Sequence, residues 1–151
     1  MEKPLLTTLI RRIHLDIRRE IHADLRAAGH ADLAIAHMYV FQTPGPDGAR
    51  PTELAERTNM TKQSMNHCLA KLEEGGYLQR VPSPTDRRAT VIRLTRRGRE
   101  VQRIMLESSR RLEREWARAS TRPEIEQLRT RLTKLDRLNQ QPEPTRIGND
   151  A

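Results

Sequence analysis

The stretch TNMTKQSMNHCLAKLEEGG, residues 58–76, leaves the chain little conformational freedom. Thr61 offers an N-cap hydroxyl, within reach of the Ser64 amide at the third helical position. Met60 and Met65 stand at the two positions of a hydrophobic staple across that cap. Met65, Cys68, Leu69 and Leu72 then recur at three- and four-residue spacing as one apolar stripe, and Gly75 and Gly76 end the helix. The opposite face carries Gln63, His67 and Ala70, flanked by Lys62, Ser64, Asn66 and Lys71. Upstream, Pro51 opens a shorter helix, PTELAERT, because a proline at the first helical position loses no intrahelical bond. Two short helices joined by TNM are a helix-turn-helix candidate whose second member presents amides, an imidazole and lysines outward.

Two β-rich segments follow. YLQRVP and TVIRLT are separated by the polar connection SPTDRRA and predict a hairpin with an extended tip. Leu78, Ile92 and Leu94 are expected to face the core, with Arg80 and Arg93 partly wet. Thr95 should cap a long helix with the stripe Val101, Met105, Ser108, Leu112 and Trp116, which ASTRPE ends. Thr121 and Glu124 have capping-box spacing ahead of a last helix carrying Ile125, Leu128, Leu132, Leu135 and Leu138. That stripe lasts only about two heptads, too short to stand alone. Near the N-terminus, Leu6, Ile10, Ile13, Ile17, Ile21 and Leu25 predict an amphipathic helix that Gly29 stops. A second helix is expected from Asp32 to Gln42, apolar nearly all round and hence buried, followed by the loop TPGPDG.

Charge narrows the partners. The 151 residues carry a net charge of +8, and the sequence pI is near 10.7. Between Tyr77 and Arg99 stand seven arginines and one acid, Asp86, so 23 residues hold +6 of that charge. A surplus of this kind points to a polyanion. An acidic membrane surface fits less well than nucleic acid, because these arginines fall on a loop and strands rather than along one amphipathic helix. Only 35% of residues are hydrophobic and 3% aromatic, a lean content that suits helices burying one stripe each, partly against a second subunit. One cysteine excludes an intramolecular disulfide framework and fits a reducing compartment. The apolar run in MEKPLLTTLIRRIH is too short for a signal peptide or a membrane span, so a cytoplasmic location is expected.

Catalytic chemistry finds no motif. The five histidines (His14, His22, His30, His37 and His67) show no metal-binding spacing; His14 and His22 lie about 12 Å apart along one helix, too far to share an ion. Neither a glycine-rich phosphate loop nor a nucleophile elbow is present. No enzyme activity, cofactor or metal is expected.

In order, the elements make a winged helix-turn-helix flanked by helical arms. Residues 50–98, RPTELAERTNMTKQSMNHCLAKLEEGGYLQRVPSPTDRRATVIRLTRRG, resemble the DNA-binding core of the MarR family (multiple antibiotic resistance regulators). The most specific part is the wing: Asp86, Arg87, Arg88, Ala89, then Leu94, Thr95 and Gly98. The resemblance implies a mainly α fold with a small β-hairpin, one domain over residues 1–138. A DNA-binding lobe at 30–98 would be flanked by dimerisation arms at 5–28 and 99–138. The polar, proline-bearing tail 139–151 is expected to be disordered. The resemblance further implies a homodimeric repressor on palindromic double-stranded DNA, with the second motif helix in the major groove and a wing arginine in the minor groove. It also implies a small effector held between arms and lobe, which directs attention to His14 and His37. Peroxide-sensing members carry a reactive cysteine near the N-terminus; here Cys68 lies in the apolar stripe instead.

Chemistry assigns roles within that frame. A narrow minor groove attracts an inserted guanidinium, and a nearby carboxylate can orient it. Arg88 is therefore expected as the wing-tip probe, Asp86 as its brace and Arg87 as a phosphate contact. Gln63 and Asn66 suit paired hydrogen bonds to adenine, and His67 suits guanine or phosphate. Thr61, Lys62 and Ser64 suit backbone contacts at the helix N-terminus. The alternative is a winged-helix interaction module that binds protein or RNA without reading DNA sequence.

Overall fold

A computed structural model of the protein describes residues 3–42, 47–86 and 88–140. The N-terminal periodicity forms α1, Leu6–Ala27, and Gly29 follows at φ +92°, a left-handed conformation that costs glycine little. Ile21 and Leu25 are buried, whereas Leu6, Ile10 and Ile13 are exposed, so only the second half of the stripe reaches the core. The single helix expected from Asp32 to Gln42 does not form. A 3-10 turn, Ile35–His37, leads into a short α2, Met38–Gln42. The cause is tertiary: the Asp32 carboxylate accepts the Tyr77 hydroxyl at 2.6 Å and Arg97 at 3.1 Å, drawing this residue away from helical geometry. The His37 imidazole then accepts the Ala34 N–H at 3.1 Å and starts the turn. Met38, Val40 and Phe41 are buried, but Ile35 and Tyr39 face outward, and the Arg18 guanidinium lies 3.8 Å from the centre of the Tyr39 ring. Arg18 also donates to the Ile35 carbonyl, which satisfies part of a buried cation.

The helix-turn-helix is α3, Pro51–Arg57, and α4, Lys62–Glu74. Between them Asn59 takes φ 53°, and the Met60 and Asn59 amides donate back to Ala55 and Glu56 of α3. This is a Schellman-type stop, in which asparagine tolerates the left-handed position. β1, Leu78–Pro82, and β2, Thr90–Leu94, pair antiparallel with Leu78 opposite Leu94 and Arg80 opposite Ile92. Leu78, Ile92 and Leu94 are buried as expected, and so is Val91. The outer edge of β2 is covered by residues 47–49. Gly48 donates to the Ile92 carbonyl at 2.6 Å, Ile92 donates to the Ala49 carbonyl at 2.9 Å, and the Asp47 carboxylate accepts the Leu94 amide at 3.0 Å. An open strand edge is thereby closed to foreign pairing.

Thr95 caps α5, Arg96–Ala119, by accepting the Gly98 amide at 3.2 Å. Its stripe buries Val101, Ile104, Met105, Ser108 and Leu112, while Trp116 stays exposed. The described chain forms two compact units, one ending at Arg110 and one beginning at Arg111. In the second unit α6, Arg122–Gln140, runs two residues past the expected end at Leu138. The remainder of the expected tail, residues 141–151, lies outside the described residues. Half of the expected capping box is present. Glu124 accepts the Thr121 amide at 2.8 Å, but the Thr121 hydroxyl donates to the same carboxylate oxygen. Leu128, Leu132, Leu135 and Leu138 are exposed along α6.

Two packing details are testable. A Cβ on Gly98 would lie 2.1 Å from the Tyr77 carbonyl oxygen, because α5 starts against the backbone that enters β1. Gly98→Ala is expected to lower unfolding free energy by about 3 kcal/mol, the upper range for overpacking, read from urea denaturation. An unchanged midpoint would mean that this crossing yields easily. Cys68 is buried in the α4 stripe, and burial pushes its thiol up to about 11. Little thiolate exists at neutral pH, so mild peroxide should leave the intact mass unchanged over the time in which a free thiol peptide is oxidised. Rapid oxidation of the folded protein would contradict that burial.

Candidate nucleic-acid interface

The outward face of α4 follows from the inward one. Met65, Cys68, Leu69 and Leu72 are all at most 4% exposed, and this fixes the rotation of the helix. Lys62, Gln63, Ser64, Asn66 and His67 consequently project into solvent, as their spacing predicted. Thr61 accepts the Ser64 amide at 3.1 Å, completing the cap, and donates to the Ser64 hydroxyl at 2.8 Å. The cap leaves the N-terminal turn ordered and its positive dipole end facing outward. Gln63 and Asn66 are three residues apart and His67 four from Gln63, so the three share one face.

At the wing, the Ser83 amide donates to the Ala89 carbonyl at 2.8 Å, and the Ala89 amide to the Asp86 carbonyl at 2.9 Å. Arg88 is exposed at this turn, whereas Arg87 lies outside the described residues. Asp86 does not grip the Arg88 guanidinium as expected. Its Oδ1 accepts the Arg88 backbone amide at 3.0 Å, and its Oδ2 lies 3.5 Å from a guanidinium nitrogen of Arg50. A carboxylate two residues before an amide closes this Asx turn without immobilising a long side chain, so the backbone wins the competition.

Sequence reasoning missed Arg50. The available signal was an arginine immediately before a helix-opening proline, where a short polar cap is the rule.

The arginine cluster divides in two. Arg80 turns onto α4, with Nε 3.6 Å from Glu73 and a guanidinium N–H donating to the Asn66 carbonyl at 3.4 Å. Arg97 donates to the Gly75 carbonyl at 2.6 Å and pairs with Asp32, its guanidinium 4.2 Å from the centre of the Tyr77 ring. Arg99 donates to the Leu94 carbonyl at 2.6 Å. These three hold the fold together. Arg88, Arg93 and Arg96 are the exposed remainder among the described residues.

His37 is half-buried beside a cleft of about 230 Å³ lined by Asp32, Leu33, Lys71, Leu72, Gly75 and Tyr77, among others. Burial holds its imidazole below the ordinary histidine range; Asp32 opposes this, and His67 and Lys71 add to it. Burial alone would raise the Asp32 carboxyl. The Tyr77 hydroxyl, the Asp32 backbone N–H, Arg97 and His30 outweigh it and keep the group ionised to lower pH than usual. His14 is exposed on α1 and does not line this cleft. Among the described residues no group of three or more histidines, cysteines or carboxylates is placed to hold a metal ion.

Comparisons with known proteins bear on this arrangement. A model of the MarR family matches residues 42–89, which hold α3, α4, β1 and the wing turn. A transcriptional regulator of Thermotoga maritima is 26% identical, with 87% of this chain and 92% of that one covered and a TM-score of 0.60. A MarR-family protein of Mycobacterium tuberculosis, solved with salicylic acid, is 27% identical over 89% and 98% of the two chains, with a TM-score of 0.65. FabT of Streptococcus pneumoniae, solved with DNA, shares the fold at a TM-score of 0.75, with 22% identity over 88% and 94% of the chains. No curated protein sequence matches the chain. Residues 42–89 are thus similar in sequence to the MarR family, and the chain shares its winged helix-turn-helix fold with a MarR-family protein.

Proposed function

We propose that the protein is a DNA-binding transcriptional regulator, acting as a homodimeric repressor of palindromic operators and released by a small effector. One observation carries the reading: Gln63, Asn66 and His67 stand together on the exposed face of a capped helix whose rotation the core fixes. Carboxamides on such a face can make paired hydrogen bonds to adenine, and imidazole can donate to guanine or phosphate. Lys62, Ser64 and Thr61 at the same helix end supply phosphate contacts. Arg88 at the exposed wing turn enters the minor groove, with Asp86 ordering its backbone and Arg87 touching phosphate. The shared fold of FabT, whose structure contains DNA, supports this reading.

The arms at 5–28 and 99–138 serve dimerisation. Leu6, Ile10 and Ile13 on α1, and separately Leu128, Leu132, Leu135 and Leu138 on α6, are exposed leucines and isoleucines at helical spacing that a second copy would cover. A single domain over 1–138 is part of this reading, as is a cytoplasmic location; among the described residues no helix is long and apolar enough to cross a membrane. The salicylic acid held by the M. tuberculosis relative supports a small effector here, with His37 and His14 as residues to test.

Selection of duplexes from a random-sequence pool tests the core claim. Enrichment of one palindrome with half-site centres about 34–36 Å apart is expected. Retention of every sequence alike would instead favour an interaction module for protein or RNA. On the selected duplex, Gln63→Ala or Asn66→Ala should relax sequence preference by about 1–3 kcal/mol per lost paired contact. Lys62→Ala should weaken all sequences equally and lower the salt dependence by about one charge per subunit. Arg88→Ala should weaken binding and Arg88→Lys should not restore it, since lysine lacks the planar fork. Identical behaviour of these variants would reduce the surface to a diffuse basic patch.

The dimer has its own measurement. Leu132→Asp places a carboxylate in an apolar seam, and sedimentation should show monomer or aggregate in place of dimer. An unchanged dimer would remove α6 from the interface.

A further inference from the structure

Arg50 precedes the proline that opens α3, where a hydroxyl or carboxamide would ordinarily cap the helix. Its main chain is held on both sides. The neighbouring Ala49 carbonyl accepts the Ile92 amide of β2, and the Arg50 amide donates to Glu53 at 3.1 Å. From this fixed point the side chain crosses to a residue 36 positions later, Asp86, at 3.5 Å. The other oxygen of the same carboxylate holds the amide of Arg88. One acidic group thus connects the first helix of the helix-turn-helix to the residue at the wing turn.

We propose that Arg50 is a positioning residue for the wing, acting through Asp86 to hold the Arg88 turn against the start of α3. The pair is about half exposed on both sides, 46% and 45%, so it adds little to global stability. Its effect is on order. Without Arg50 the Asx turn still forms but opens more often, because it loses its tether to the body of the lobe. The Arg88 side chain then starts from a wider set of positions, and binding must bear the cost of fixing it. An isolated surface pair also explains why the effect is modest: about three- to fivefold in duplex binding per subunit.

The duplex arm of the test rests on the DNA-binding reading above; the free-protein arm does not. Asp86→Asn keeps an oxygen for the Arg88 amide and removes the charge that Arg50 meets. In the free protein, hydrogen exchange read by NMR should show the Arg88 amide opening about two- to fivefold faster in Arg50→Ala and in Asp86→Asn, with α4 amides unchanged. On the duplex selected by the wild-type protein, each single variant should bind about three- to fivefold more weakly per subunit. The double variant should be no weaker than either, because both remove one connection. Unchanged Arg88 exchange in Arg50→Ala overturns the proposal. So does a loss from Arg50→Ala that persists in full in the Asp86→Asn background, which would mark Arg50 as a direct phosphate contact. If the wild-type protein retains no duplex, the regulator reading fails, and exchange alone decides the role of Arg50.

Discussion

Tyr77 is the residue on which the first unit converges. It is 1% exposed at the junction of α4 and β1, and every part of it is used. The hydroxyl donates to Asp32 at 2.6 Å and lies 3.3 Å from His30 Nδ1. The ring meets Phe41 edge-on and carries the Arg97 guanidinium on its face. The carbonyl accepts both the amide and the hydroxyl of Thr95. Burial and the Asp32 carboxylate both push the phenol well above its ordinary range, so it stays a neutral donor. The turn before α2, the end of α4, the root of the wing and the start of α5 are therefore tied to one residue. The hydroxyl has its partners while His30 Nε2 is buried without one among the described residues, so breaking the Asp32 bond would leave a second buried polar group unpaired, which favours this one arrangement.

Periodicity carried most of what could be read in advance. The α4 stripe, the Thr61 and Thr95 caps, the hairpin and the inward Leu78, Ile92 and Leu94 all depend on contacts within a few residues or on alternation along a strand. The outward set on α4 was legible for the same reason, since a fixed stripe leaves only one exposed face. What escaped were the pairings across long stretches of chain. The helix expected over 32–42 broke because Asp32 answers to Tyr77 and Arg97, 45 and 65 residues away. Asp86 turned to Arg50 for the same kind of reason. Propensity is a weak prior against a charge-assisted bond formed in three dimensions.

The arginine cluster shows how far composition can be trusted. Seven arginines in 23 residues suggested a polyanion, yet Arg80, Arg97 and Arg99 are committed to carbonyls and carboxylates of the fold itself. Long cationic side chains serve packing as readily as recognition, and their stems cover apolar surface while the heads find carbonyl oxygens. Arg88 and Arg93 mark the wing; Arg80, Arg97 and Arg99 build its base.

The position of Tyr77 also decides how small a working piece of this protein can be. Residues 50–98 contain both motif helices and the whole hairpin, and by sequence they look like a portable module. His30, Asp32 and Phe41, which hold the Tyr77 ring and hydroxyl, all lie before that segment. Cut away from them, the Tyr77 ring would be exposed to water on the side that Phe41 covers, and the Arg97 guanidinium would lose its carboxylate. The root of the wing would then be set by a two-stranded hairpin, which is marginal on its own in water. Autonomy therefore begins upstream of the motif, and the segment from His30 to Phe41 is as much a part of the folded unit as the two motif helices.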